Sequence, residues 1–189
     1  MKKFLLIGII LLFAVIAGFL FFKSGQQKNV YQAPQKVVNT QPMKITSPVF
    51  NDHENIPAKY TCDGDGVNPP LAFSDVPKEA KTLALVMDDP DAPNGTWVHW
   101  LLWNIPAETN QLMENSVPAG ATQGQTSSGQ NVYGGPCPPL GIHHYHFKLY
   151  ALSRKLSIAS YSTAADLEKA MQGNIIAHAD LVGLYSRNK

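Results

Sequence analysis

His143-His144-Tyr145-His146-Phe147-Lys148-Leu149-Tyr150-Ala151-Leu152 is the stretch that decides how this chain folds. Its odd positions are His143, Tyr145, Phe147 and Leu149; its even positions are His144, His146, Lys148 and Tyr150. A β-strand sends alternate side chains to opposite faces, so this period of two predicts a strand with one face buried. His143 and Tyr145 are expected to point into the protein, His144 and His146 toward water.

Working outward, the neighbouring segments also read as strands. Thr82 to Met87 is a short apolar run between turn signals, as expected of a strand buried on both faces. Asp88-Asp89-Pro90-Asp91-Ala92-Pro93-Asn94-Gly95 then turns the chain, and Trp97 to Trp103 forms a second apolar strand, ended by Asn104-Ile105-Pro106. Leu71 to Phe73 and the alternation from Met43 through Ile45 to Val49-Phe50 predict further strands. Turn formers dominate Asn51 to Leu71, and Ala107 to Ser128 reads as loop with short strands. One soluble helix is expected from about Ala164, where Thr163-Ala164-Ala165-Asp166 has the form of a capping box and Gly173 supplies a stop. A second helical turn is expected around Ile175 to Ala179, with a closing strand from Leu181 to Tyr185. Fourteen glycines and fourteen prolines suit such a turn-rich, mainly β chain.

The 189 residues have room for one domain and an appendage. Phe4 to Phe22 carries no charge, and at helical rise its length is roughly 28 Å, close to a bilayer's hydrocarbon thickness. Residues 1–23 are therefore expected to form an N-terminal transmembrane helix, oriented by Lys2 and Lys3 so that the remainder of the chain lies outside the cytoplasm. A cleaved signal peptide is the competing reading and would release the domain; Val15-Ile16-Ala17 matches a cleavage site poorly. Residues 24–42, rich in Gln, Asn, Lys and Pro, read as a flexible linker, and residues 43–189 as the domain. A net charge of +1 without a basic stripe excludes a nucleic-acid partner. Cys62 and Cys137 are the only cysteines. In an oxidising compartment they can form a disulfide; two buried thiols are the alternative.

Four polar segments stand at the mouths of apolar strands: Asp89-Pro90-Asp91, His99, the Tyr133-to-Gly141 loop, and His143 with Tyr145. A buried carboxylate or imidazole is costly unless paired, so these groups are expected to meet. Imidazoles, a phenol and free backbone N–H groups around Gly135 would together make an anion site, and a carboxylate beside an imidazole would favour its charged form. Gly134 and Gly135 would let the backbone approach a ligand without a Cβ clash.

These residues occur in motifs. Asp89-Pro90-Asp91-Ala92-Pro93, Trp97-Val98-His99 and Gly135-Pro136-Cys137-Pro138-Pro139-Leu140-Gly141-Ile142-His143-His144-Tyr145 resemble the signature of the phosphatidylethanolamine-binding protein family. The resemblance is nearest to its bacterial and archaeal, Raf kinase inhibitor-like branch. Ile56-Pro57-Ala58-Lys59-Tyr60-Thr61-Cys62-Asp63-Gly64, Pro69-Pro70-Leu71 and Leu181-Val182-Gly183-Leu184-Tyr185 extend it over about Met43 to Arg187. It implies a β-sandwich, a large antiparallel sheet against a smaller one, with short helices near the C-terminus. It also implies a pocket for phosphate, acetate or a phospholipid head group. Carried over by motif, the ligand-binding residues would be Asp89, His99, Gly135, Pro136, His143 and Tyr145, with no cofactor. Position 137 is Cys where many eukaryotic relatives have Pro, and position 144 is His where the family often has Arg.

Each residue also has a plainer reading: Asp89 as a turn cap, His99 as a satisfied core histidine, His143 with Tyr145 as a buttress of the sheet. A divalent ion held by Asp89, His99 and His143 is a further alternative, although strand alternation splits the run from His143 to His146 between faces. No Ser or Thr stands in a nucleophile context and Gly-x-Ser-x-Gly is absent, so an enzyme is not expected; Cys137 is the one candidate nucleophile. Regulatory inhibition of an envelope or secreted protease, or a kinase-inhibitor-like role, is the alternative to ligand binding.

Overall fold

The computed structural model describes residues 42–187. Among them it forms two sheets: a three-stranded sheet in the order β1-β3-β6 and a six-stranded sheet in the order β2-β9-β8-β4-β5-β7. The small sheet comprises β1 (Lys44–Thr46), β3 (Leu71–Ser74) and β6 (Gln111–Leu112). The large one comprises β2 (Glu54–Asn55), β4 (Thr82–Asp89), β5 (Trp97–Pro106), β7 (Thr122–Gln123), β8 (His143–Leu152) and β9 (Ile175–Tyr185). All pairings are antiparallel except β2 with β9. The expected transmembrane helix (1–23) and linker (24–42) lie outside the described residues, save for Pro42. Among the described residues no helix is long and apolar enough to cross a membrane.

Apolar residues fill both faces of the large sheet. Leu83, Leu85, Met87, Trp100, Leu102, Phe147 and Leu149 pack toward the small sheet with Ile45, Leu71 and Phe73. Ala84, Val86, Leu101 and Trp103 form a second cluster with Leu167 and Met171 of the helix α1 (Ala164–Met171). Hence every residue of β4, the strand between β5 and β8, is buried. On β8 the odd residues are buried and His144 is exposed, whereas His146 is half-buried against Asp180. Helix α1 begins with the capping box: Asp166 Oδ2 accepts from Thr163 N–H at 2.9 Å, and Thr163 Oγ1 accepts from Asp166 N–H. Gly173, at φ +71°, follows its last turn.

Two expectations are corrected. Ile175 to Ala179 is not a helical turn but the start of β9, which pairs with β8 from Ile175↔Leu152 to Tyr185↔His143. Its ladder satisfies the backbone there, so α1 is the single α-helix among the described residues, with a 3-10 turn at Ala58–Tyr60. Nor does Asn104 end β5. It takes φ 57° at a bulge opposite Leu83–Leu85, and its amide exchanges hydrogen bonds with the Leu156 backbone at 2.8 and 2.9 Å. Asparagine tolerates the left-handed region, so a dipeptide that looks like a stop is a bend within a strand.

Candidate functional site

The ends of β4, β5 and β8 converge on one cavity of about 300 Å³. Asp89 is the last residue of β4, and His143 the first of β8. The antiparallel register of β4 and β8 sets these ends side by side. His143 Nδ1 donates to Asp89 Oδ2 at 2.7 Å, with the side chains 7% and 5% exposed. Asp89 Oδ1 accepts from the Asp91 backbone N–H at 2.9 Å, so the residue both caps the turn and pairs with an imidazole. With Nδ1 of His143 committed, its Nε2 is the ring nitrogen left for a ligand.

His99, on β5, is fixed differently. Its Nδ1 donates to the Gly134 carbonyl at 2.8 Å, and its own carbonyl accepts from Gly134 N–H at 2.9 Å. Asp89 therefore pairs with one imidazole, not two. Burial holds the His99 pKa below the usual imidazole value, although the Gly134 carbonyl and the Asp89 charge act in the opposite direction. Nε2 of His99 is again the uncommitted nitrogen.

Tyr145 stands between them, its ring 5.2 Å from that of His99 and 6.4 Å from that of His143. Its hydroxyl is buried and has no hydrogen-bond partner. Asp88 Oδ1 and Trp103 Nε1 are likewise unpartnered, but Tyr145 alone of the three lines the cavity. Burial, then the Asp89 charge, pushes the phenol pKa well upward; the Cys137 backbone N–H opposes this without closing a hydrogen bond. The phenol is thus a proton donor awaiting an acceptor.

The loop from Tyr133 to Cys137 forms another wall. Tyr133 Oη donates to the Tyr60 carbonyl at 2.9 Å, Cys62 N–H donates to the Pro136 carbonyl at 3.1 Å, and Cys62 is disulfide-bonded to Cys137. The thiol needed for a cysteine nucleophile is therefore absent. Gly135 is required for a reason other than ligand approach: a Cβ there would lie 2.9 Å from the Thr61 carbonyl carbon and 3.0 Å from its Cα. Pro136 does not line the cavity; its carbonyl holds the loop to the 60–62 segment. Of the six residues expected to bind ligand, the structure brings Asp89, His99, Gly135, His143 and Tyr145 to one cavity. Among the described residues no group of three or more His, Cys, Asp or Glu is arranged to hold a metal ion.

Two further lining residues carry no site signal in the sequence. Thr126 and Ser128 come from a stretch that reads as plain loop; Ser127 N–H to the Val98 carbonyl and Val98 N–H to Ser127 Oγ lay it beside β5. No sequence signal marks such a contact. Trp97 lines the mouth and is 43% exposed, whereas Trp100 and Trp103 are core. Beside the mouth, Asp91 Oδ2 accepts from both His144 N–H and Nδ1–H, at 2.9 and 2.7 Å, and this pairing lowers the Asp91 pKa.

A sequence profile for phosphatidylethanolamine-binding protein matches residues 46–186. The chain belongs to the phosphatidylethanolamine-binding protein family. A UPF0098 protein of Methanothermobacter thermautotrophicus is 45% identical over 150 residues, covering 77% of this chain and 99% of that protein. A UPF0098 protein of Pyrococcus horikoshii is 41% identical over 190 residues, covering 96% of this chain and 89% of that protein. Among solved structures, a phosphatidylethanolamine-binding protein homologue from Chlamydia trachomatis superposes with a TM-score of 0.75 at 42% identity, over 78% of this chain and 99% of that one. E. coli YbcL, described as a member of the mammalian family, gives 0.74 at 32% identity, over 78% of this chain and 100% of its own. The family fold, with its two sheets and few helices, is thereby the fold of this domain.

Proposed function

We propose that this domain is a binding protein, not an enzyme, for a small anionic group, namely a phosphate or a phosphate-bearing phospholipid head group. Nε2 of His99, Nε2 of His143, the Tyr145 hydroxyl and the loop backbone at Gly135 receive it. The observation that carries the reading is the Tyr145 hydroxyl, buried, unpartnered and lining the cavity between two imidazoles. A buried donor without an acceptor is destabilising, and a ligand oxygen relieves that cost. The family name points to the same class of ligand.

Phe4 to Phe22 anchors the chain and places the domain outside the cytoplasm in this reading. The Cys62–Cys137 disulfide supports an oxidising compartment. Calorimetric titration of residues 42–189 with phosphate and phosphorylethanolamine tests the site. Saturable one-to-one binding that His143→Ala abolishes is expected; no binding, or equal binding by the variant, discards it.

A further inference from the structure

The Cys62–Cys137 bond lies at the surface, on the edge of the cavity. Both residues are exposed, although cysteine is among the residue types most often buried, and Cys137 lines the cavity. The two sides of the bond are held very differently. On the Cys62 side, the buried Tyr60 donates its hydroxyl to Glu114 Oε2 at 2.7 Å, and Thr61 Oγ1 donates to the Ala58 carbonyl at 2.9 Å. Asp63 accepts from the Tyr185 hydroxyl and from Arg187 Nη2, at 2.8 Å each. On the other side, the Pro136 carbonyl is the last group of the loop to be hydrogen-bonded. Among the described residues, none of 137–142 makes a backbone hydrogen bond, and pairing resumes at His143, opposite Tyr185. The segment carrying Cys137 is thus fastened by the disulfide, whereas the segment carrying Cys62 is secured without it.

We infer that the Cys62–Cys137 bond is a site of reversible thiol–disulfide exchange with a dithiol protein, and that this exchange gates the cavity; the gate rests on the anion-site reading above. An exposed disulfide is more readily reduced than a buried one and is the kind that regulates. A thiolate of the partner attacks one sulfur, forms a mixed disulfide and expels the other cysteine as a thiolate, which takes up a proton. The partner's second thiolate then displaces the first cysteine, which is protonated in turn. Two electrons and two protons pass to this chain, and the partner keeps a disulfide; the reverse exchange restores the bond. Reduction frees Cys137 and Pro138, both in the cavity wall. Cys137 also carries the backbone N–H that acts on the Tyr145 phenol, so its displacement disturbs the anion site directly. The oxidised protein holds phosphate, and the reduced protein releases it.

The test uses the full chain with the bond intact, treated with reduced thioredoxin or dithiothreitol in the absence of denaturant. Maleimide mass tagging counts free thiols, circular dichroism follows the fold, and calorimetry reads phosphate binding. Thioredoxin should release both thiols within minutes while the strand signal persists. Phosphate affinity should fall by about tenfold, the value of one displaced donor to a charged ligand, and oxidised glutathione should restore it. Cys62→Ser with Cys137→Ser should bind as weakly as the reduced protein and ignore the reductant. Thiols released only in denaturant overturn the exchange site. A reduced, folded protein of full affinity overturns the gate. Unfolding on reduction does so too, since the bond is then a staple of the fold. An oxidised chain that binds no phosphate overturns the anion site itself, whatever the thiols do.

Discussion

Asp89 and His143 end one strand and begin another, and their side chains meet at 2.7 Å in the wall of the cavity. Fifty-four residues apart in sequence, they are joined because β4 and β8 pair antiparallel over almost their whole length. Both side chains are almost fully buried, so each is the condition for burying the other. Breaking a buried pair from one side strands the remaining group. Asp89→Ala and His143→Ala should each destabilise the domain by about 3–5 kcal/mol. The double variant should lose clearly less than the sum. Urea unfolding of the four proteins measures the coupling, expected near 2 kcal/mol; strict additivity would remove the pair from the account.

Tyr145→Phe should have opposite effects on stability and binding. The hydroxyl has no partner in the free domain, so its removal should leave stability unchanged or raise it by about 1 kcal/mol. Phosphate affinity should fall by about tenfold, the value of one hydrogen bond to a charged acceptor. Thermal unfolding and calorimetry on one preparation test both signs. A destabilised variant with full affinity would reassign the phenol to the fold.

Burial lowers the His99 pKa, so the free domain resists protonation at this ring while the unfolded chain accepts it near 6.5. From this group, stability should fall as pH drops below about 6.5. An anion reverses the preference by favouring the imidazolium, so binding should take up a proton and strengthen as pH falls. Glycerophosphoethanolamine, whose phosphodiester keeps one charge over this range, isolates the effect. Calorimetry in buffers of different ionisation enthalpy should register proton uptake, and His99→Gln should reduce it. A pH-independent affinity in the wild type would show that Nε2 of His99 does not meet the ligand.

The Cys62–Cys137 bond closes a loop with a sequence separation of 75 residues. Chain entropy assigns such a closure about 4 kcal/mol. Cys62→Ser with Cys137→Ser should lower the unfolding temperature markedly and weaken phosphate binding as well, because Cys137 lines the cavity. Unchanged affinity in the folded double variant would mean that the hydrogen bonds at Tyr60 and Pro136 alone hold the wall.

Sequence periodicity went far here. The alternation along β8 separates inward His143 and Tyr145 from outward His144, and the unbroken apolarity of residues 82–87 marks a strand covered on both sides. These features are legible because side-chain direction in a strand is local geometry, fixed by the backbone of the strand itself. The capping box at Thr163 and the stop at Gly173 are legible on the same ground.

Tertiary structure alone decided the rest. Whether Ile175 to Ala179 became helix or strand depended on a neighbour with free backbone groups along β8, which no local window contains. Partner choice in the cavity, Asp89 with His143 and Gly134 with His99, followed from strand register and loop placement over 54 and 35 residues of separation. Gly135 could be recognised in the sequence, but its reason, a Cβ colliding with Thr61, exists only once the disulfide-linked segments are side by side. Direction along a strand is a local property; which groups share a cavity is set by contacts between distant parts of the chain.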